Sequence, residues 1–155
     1  MSDFITLAKK LNEPLREHDV YLNFQGYTET WRTYLNMDDS NLVDKFVLSK
    51  ECLMWSDYFA SVMTSIQYLL RREKSREKYY RSFYESTPAN HSKFPQIKKQ
   101  YEEIKKFRQE LEVFYRQLRN QRYAFIKASR DLTWGFKRGW SEFKTKEYMH
   151  MSDGL

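Results

Sequence analysis

The stretch IKKFRQELEVFYRQLRNQRYAFIKASRDL, residues 104–132, decides the fold class. Ile104, Phe107, Leu111, Phe114, Leu118, Gln121, Phe125, Ala128 and Leu132 follow one another at alternating steps of three and four. That rhythm places them on one stripe of a helix and repeats every seven residues. Gln121 is the one polar member, read as a register-setting layer in a buried seam. Neither Gly nor Pro interrupts residues 96–132, so the sequence predicts one long helix there.

A second such helix is predicted upstream, over about residues 42–84, also free of Gly and Pro. Leu48, Cys52, Trp55, Phe59, Val62, Ile66 and Leu69 keep the same spacing, which turns polar at Glu73 and Arg76 and aromatic again at Tyr80 and Phe83. At 1.5 Å per residue it runs about 60 Å. Between the two helices lies ESTPANHSKFP, residues 85–95, a short linker holding two Pro. Two heptad-patterned helices joined by a short linker read as a long antiparallel helical hairpin.

The rest of the chain is less regular. Phe4, Leu7, Ala8 and Leu11 suit an amphipathic helix over residues 3–13 that Pro14 ends. Val20, Leu22 and Phe24 alternate as in a strand, and Gln25-Gly26 suits a hairpin turn. Tyr27, Trp31, Tyr34 and Leu35 equally suit a short helix capped by Thr28. The reading is a small hairpin or irregular lead followed by a helix. The run MDDSN (37–41) is a good helix start, because its Asp and Ser side chains accept hydrogen bonds from free backbone N–H groups. The fold class is therefore mainly α, with a small N-terminal helix or hairpin region at residues 1–40, the helical hairpin at 41–133 and a basic aromatic tail at 134–155. A thin hairpin leaves aromatic surface uncovered, so a homo-oligomer is expected.

Composition narrows the function. Among 155 residues there are 4 Gly and 3 Pro, too few turn-formers for a many-stranded sandwich or barrel. One cysteine, Cys52, excludes an internal disulfide and any cysteine-cluster metal site. No apolar run is long enough to span a bilayer and the first residues lack the build of a secretion signal, so no membrane partner and a cytoplasmic location are expected. If the chain is phage-encoded, that means the bacterial host cell. The net charge is +6, but residues 1–70 carry −4 and residues 71–155 carry +10. Such a basic half suits a polyanionic partner.

Three segments carry that charge. In residues 69–84, Arg71, Arg72, Lys74, Arg76, Lys78 and Arg81 stand against Glu73 and Glu77, with Tyr79 and Tyr80 among them. Cations bind phosphates, and aromatic faces stack on unpaired bases. The competing reading is that the Glu residues pair with these cations one helical turn away. On the second long helix, Arg116, Arg119, Arg122, Lys127 and Arg130 share an arc roughly opposite the apolar stripe. Residues 116–146 hold 9 cations and 2 anions, so little internal neutralisation is on offer. The tail adds Trp134, Lys137, Arg138 and Trp140, extended by Phe143, Lys144 and Lys146. It reads as a base-stacking arm or as anchors that pack onto a neighbouring subunit.

Signs of catalysis are missing from the sequence. His18, His91 and His150 are far apart, no Gly-rich phosphate loop occurs, and Cys52 falls on the apolar stripe as a packing residue. Asp38 and Asp39 read as helix caps rather than metal ligands. No enzyme activity, catalytic residue, metal or cofactor is expected. The residues themselves predict a non-enzymatic binder of single-stranded nucleic acid. The rival is a small phage-type adaptor or inhibitor that docks on a host protein, since Arg and aromatic residues also dominate protein interfaces.

The region from Trp55 to Arg130 resembles the UvsY-like recombination mediators of tailed phages. The likeness is carried by the Trp55-Ser56 pair, the run RREKSR (71–76), the Tyr79-Tyr80 doublet and RYAFIKASRD (122–131), which holds Phe125-Ile126-Lys127. It implies single-stranded DNA binding in recombination or replication, a ring-like homo-oligomer, and contacts with a recombinase ATPase and a single-strand-binding protein. It also implies DNA contact by Arg71, Arg72, Lys74 and Arg76.

Overall fold

A computed structural model describes residues 2–37 and 42–153, with the side chains of residues 4–37 and 42–141. The described residues form α1 (Ser2–Arg16), α2 (Tyr27–Leu35), α3 (Leu42–Ser86) and α4 (Phe94–Asp153), and no strand occurs among them. The chain is mainly helical, and α3 packs against α4 as a long hairpin. Two compact units share this hairpin: unit 1 is Met1–Leu22 with Ala60–Asn120, and unit 2 is Asn23–Phe59 with Gln121–Leu155.

In unit 1, α1 lies on the hairpin. Its apolar stripe, Phe4, Ala8, Leu11 and Leu15, is buried, and Phe4 stacks on Phe114 with ring centroids 5.7 Å apart. Lys10 reaches Glu110 at 3.0 Å, and His18 stacks on Phe107. Pro14 does not end α1, contrary to the sequence expectation; the helix runs two residues further. Proline removes one hydrogen-bond donor, and so near a helix end that loss spares the preceding turns. The chain then leaves through Asp19 at φ 60°, with Val20 N–H bonded to the Leu15 carbonyl at 2.9 Å and Asp19 N–H to the Arg16 carbonyl at 3.0 Å. These two bonds make a Schellman cap, with Asp19 in the place usually given to glycine.

The far end of the hairpin also belongs to unit 1. Tyr84 stacks on Tyr101 and Phe94 at 5.3 and 5.6 Å, clamping α3 to α4 beside the connection. The Thr87 hydroxyl donates to the Phe83 carbonyl at 2.7 Å, and Pro95 sits in the first turn of α4, where its missing N–H costs nothing.

Unit 2 is built around aromatic rings. Tyr27 and Trp31 of α2 pack on Phe59 of α3 and Phe125 of α4, and Phe24 and Trp55 complete the cluster. Residues 20–24 form no strand; the alternation there comes from Val20, Leu22 and Phe24 being half-buried between exposed neighbours in an irregular lead. The α2 helix opens at Gly26, whose φ of 86° suits glycine, so Gly26 and not Thr28 is the cap. The Tyr27 hydroxyl donates to Gln121 Oε1, which satisfies the polar layer of the α4 stripe from within the chain. Burial pushes the Tyr27 phenol up to about 12. Ser49 bridges α3 and α4 through the Ser129 carbonyl at 3.0 Å and Thr133 Oγ1 at 2.7 Å. Residues 38–41 of the expected helix start, with Asp38 and Asp39, lie outside the described residues.

Candidate nucleic-acid interface

The α3 segment in unit 1 divides its cations into two groups. Lys74 pairs with Glu112 at 3.3 Å, Arg76 with Glu73 at 2.9 Å, and Arg81 with Glu77 at 3.3 Å. These three have carboxylate partners inside the chain, and the Glu77–Arg81 pair is one that the competing reading expected. Arg71, Arg72 and Lys78 are exposed and have no ion-pair partner among the described residues. Glu73 is fully buried, and Glu77 nearly so. Arg108 donates to both oxygens of Glu77, at 2.6 and 2.9 Å, and to Glu112 at 3.2 Å. Those hydrogen bonds, with the nearby charges of Arg108, Arg81 and Lys105, outweigh desolvation and hold the Glu77 carboxyl below the usual carboxylate range.

Arg71 and Lys74 of α3 and Tyr115 and Arg116 of α4 line one groove of about 470 Å³, with Gln67, Leu70 and Glu112. Unit 1 thus brings together two cation sets that lie about forty residues apart in sequence. The Glu112 carboxylate in the wall is already engaged by Lys74 and Arg108, so it opposes an incoming phosphate only weakly. Guanidinium groups and a tyrosine ring lining one groove can grip a phosphate and stack a base. Further along α4, Arg119 is exposed and without an ion pair among the described residues. Beyond the groove, Tyr79 is exposed beside Lys78 and packs edge-on against Phe83 and Tyr80, which is half-buried.

In unit 2, Lys127, Arg130, Lys137 and Arg138 are exposed and without ion pairs among the described residues. Arg122, at the edge of the expected arc, is half-buried, and its Nε lacks a hydrogen-bond partner. The segment from Trp134 to Trp140 is no loose arm: α4 continues through it to Asp153. Its two glycines lie against α3, Gly135 beside Lys45 and Gly139 against Leu42, while Phe136 packs on Phe46 at 5.4 Å. Trp134 is 68% exposed and Trp140 is partly so. Phe143, Lys144 and Lys146 lie outside the described side chains.

Sequence reasoning missed Tyr115 and Tyr123. Tyr123 is exposed and shares its arc with Lys127, Arg130 and Trp134 on helix geometry; the three-and-four spacing that joins it to Lys127 and Arg130 was there to be read. Several matched positions of the phage-mediator resemblance do structural work. Ser56, Glu73 and Phe125 are buried, and Trp55 donates to Thr30 Oγ1 at 3.2 Å in unit 2.

Cys52 is buried, and desolvation, with the charge of Glu51 behind it, pushes its thiol up to about 11. The thiol therefore stays protonated at neutral pH. Among the described residues no group of His, Cys, Asp and Glu is arranged to hold a metal ion, and no helix is long and apolar enough to cross a membrane. No protein-family model matches the chain, and neither a curated protein nor a solved structure is significantly similar to it.

Proposed function

We propose that this chain is a non-enzymatic, cytoplasmic binder of single-stranded DNA that serves as an accessory or mediator in recombination or replication. The observation that carries the reading is a set of exposed cations in unit 1 without ion pairs among the described residues: Arg71 and Arg116, which line the groove with Tyr115, and Arg72 and Arg119 on the same two helices. Arg122, Lys127 and Arg130 add charge on α4. Binding is electrostatic capture with little sequence preference, because phosphate contacts carry no base information. Lys74, Arg76 and Arg81 act as scaffold through their carboxylate pairs. The chain works as a homo-oligomer, its heptad-type stripes packing within the hairpin of each copy, and a recombinase or a single-strand-binding protein is the expected protein partner. The UvsY-like resemblance supports the same role.

Replacing Arg71, Arg72, Arg116 and Arg119 together by Ala should weaken binding of a fluorescent oligothymidylate at least ~10-fold. Helix content by circular dichroism should not change, because all four side chains are exposed. Unchanged affinity would remove the groove from the interface.

The adaptor or inhibitor reading draws on a different observation, an open acidic and apolar groove between α2 and α3 in unit 2. It predicts a chain that ignores oligothymidylate altogether.

A further inference from the structure

We propose that the groove between α2 and α3 in unit 2 receives the Trp134–Trp140 segment of a second copy of this chain. Two adjoining depressions, of about 580 and 500 Å³, share Thr33 and Glu51 and so form one trough. Its walls carry the carboxylates of Glu29, Asp44 and Glu51 over the apolar surface of Val47, Met54 and Trp55. Among the described residues, no Lys or Arg lines either depression. Glu29 and Glu51 are exposed and have no cation partner among the described residues, on a chain whose net charge is +6. Met54 stands 70% exposed, and the Trp55 ring is held in the wall by its hydrogen bond to Thr30. A large exposed thioether beside a fixed indole is the composition of a helix-accepting groove.

The complementary surface lies on the same unit. Trp134 is 68% exposed, and Lys137 and Arg138 are exposed without ion pairs among the described residues. On helix geometry the three fall within an arc of about 100°. An amphipathic helix with one aromatic anchor and two flanking cations matches an apolar trough rimmed by carboxylates in shape class and in charge. Each copy carries one groove and one segment, so two copies can exchange them reciprocally and form the contact twice. The tail cations then serve the partner copy rather than nucleic acid. This inference rests on the self-association included in the proposed function, not on DNA binding.

The test is light scattering on the nuclease-treated full chain without oligonucleotide, so failure of the DNA reading leaves its outcome untouched. The wild-type chain is expected at dimer mass or above. Glu29→Lys with Glu51→Lys, and separately Lys137→Glu with Arg138→Glu, should each give monomer mass with helix content retained. A one-to-one mixture of the two variants should regain the wild-type mass, because the reversed groove of one then meets the reversed segment of the other. Met54→Asp, at an exposed position, is the second groove variant and should also yield monomer. A monomeric wild-type chain, a variant that keeps its mass, or a mixture that stays monomeric overturns the proposal.

Discussion

At the scale of single residues, Glu77 balances charge that its own helix cannot balance alone. Its carboxylate takes Arg81 from the next turn and two hydrogen bonds from Arg108 across the hairpin. Glu77→Gln keeps the shape and removes the charge, so it should lower stability by about 2 kcal/mol at neutral pH. For a chain of this length that is a drop in melting temperature of about 5 °C by circular dichroism. The folded chain holds this carboxyl below its unfolded value, so the contribution is complete above the ordinary carboxylate range. It fades as pH falls below about 4.3 and on through the folded pKa. The melting gap between wild type and variant should close over that interval; a gap independent of pH would mean that packing, not charge, sets it. The Arg81 pair was legible in the sequence, because partners four apart on a helix are neighbours. The Arg108 pair was not, since it joins residues 31 apart and depends on how two helices meet.

At the scale of elements, the two long helices were readable because each buries a stripe spaced by threes and fours, and those positions are indeed largely buried. Leu48, Phe59, Ile66, Leu111, Leu118 and Phe125 are examples. The short elements were readable only in outline: a helix over residues 3–13 and a lead followed by a helix were expected, but not their ends, the cap or the choice between hairpin and irregular lead. Around Val20 to Leu35 the sequence fits both a strand period and a helix period, and packing onto Phe59 and Phe125 settled it in favour of α2. The extension of α4 past Leu132 was hidden by Gly135 and Gly139, which weaken the helical signal while letting α3 approach. The two positions should respond differently to alanine. A Cβ at Gly135 meets only the Lys45 side chain at 3.8 Å, so Gly135→Ala should stabilise by up to about 1 kcal/mol through helix propensity. A Cβ at Gly139 runs into Leu42, which must rotate away, so Gly139→Ala should gain less. Thermal melts that rank the two variants the other way would contradict this packing.

At the scale of the whole molecule, the sequence already separates an acidic first part from a basic second part, and the fold uses both. The hairpin brings Arg71 and Arg116 to one groove in unit 1, which spacing within either helix does not reveal. In unit 2, α2 and α3 supply an acidic trough whose described lining residues all come from the N-terminal part of the chain. Charge composition alone pointed to an expected polyanionic partner; which cations carry ion pairs depends on Glu73, Glu77 and Glu112, and of their pairings those of Lys74 with Glu112 and of Arg108 with Glu77 are displayed only by the packed chain. The open guanidinium groups are proposed to contact phosphates, and such contact is sensitive to salt. Its most direct measurement is the affinity for oligothymidylate as monovalent salt rises from about 50 to 200 mM. With about five phosphates contacted, log affinity should fall against log salt with a slope near −3.5. An affinity that does not change with salt would contradict it.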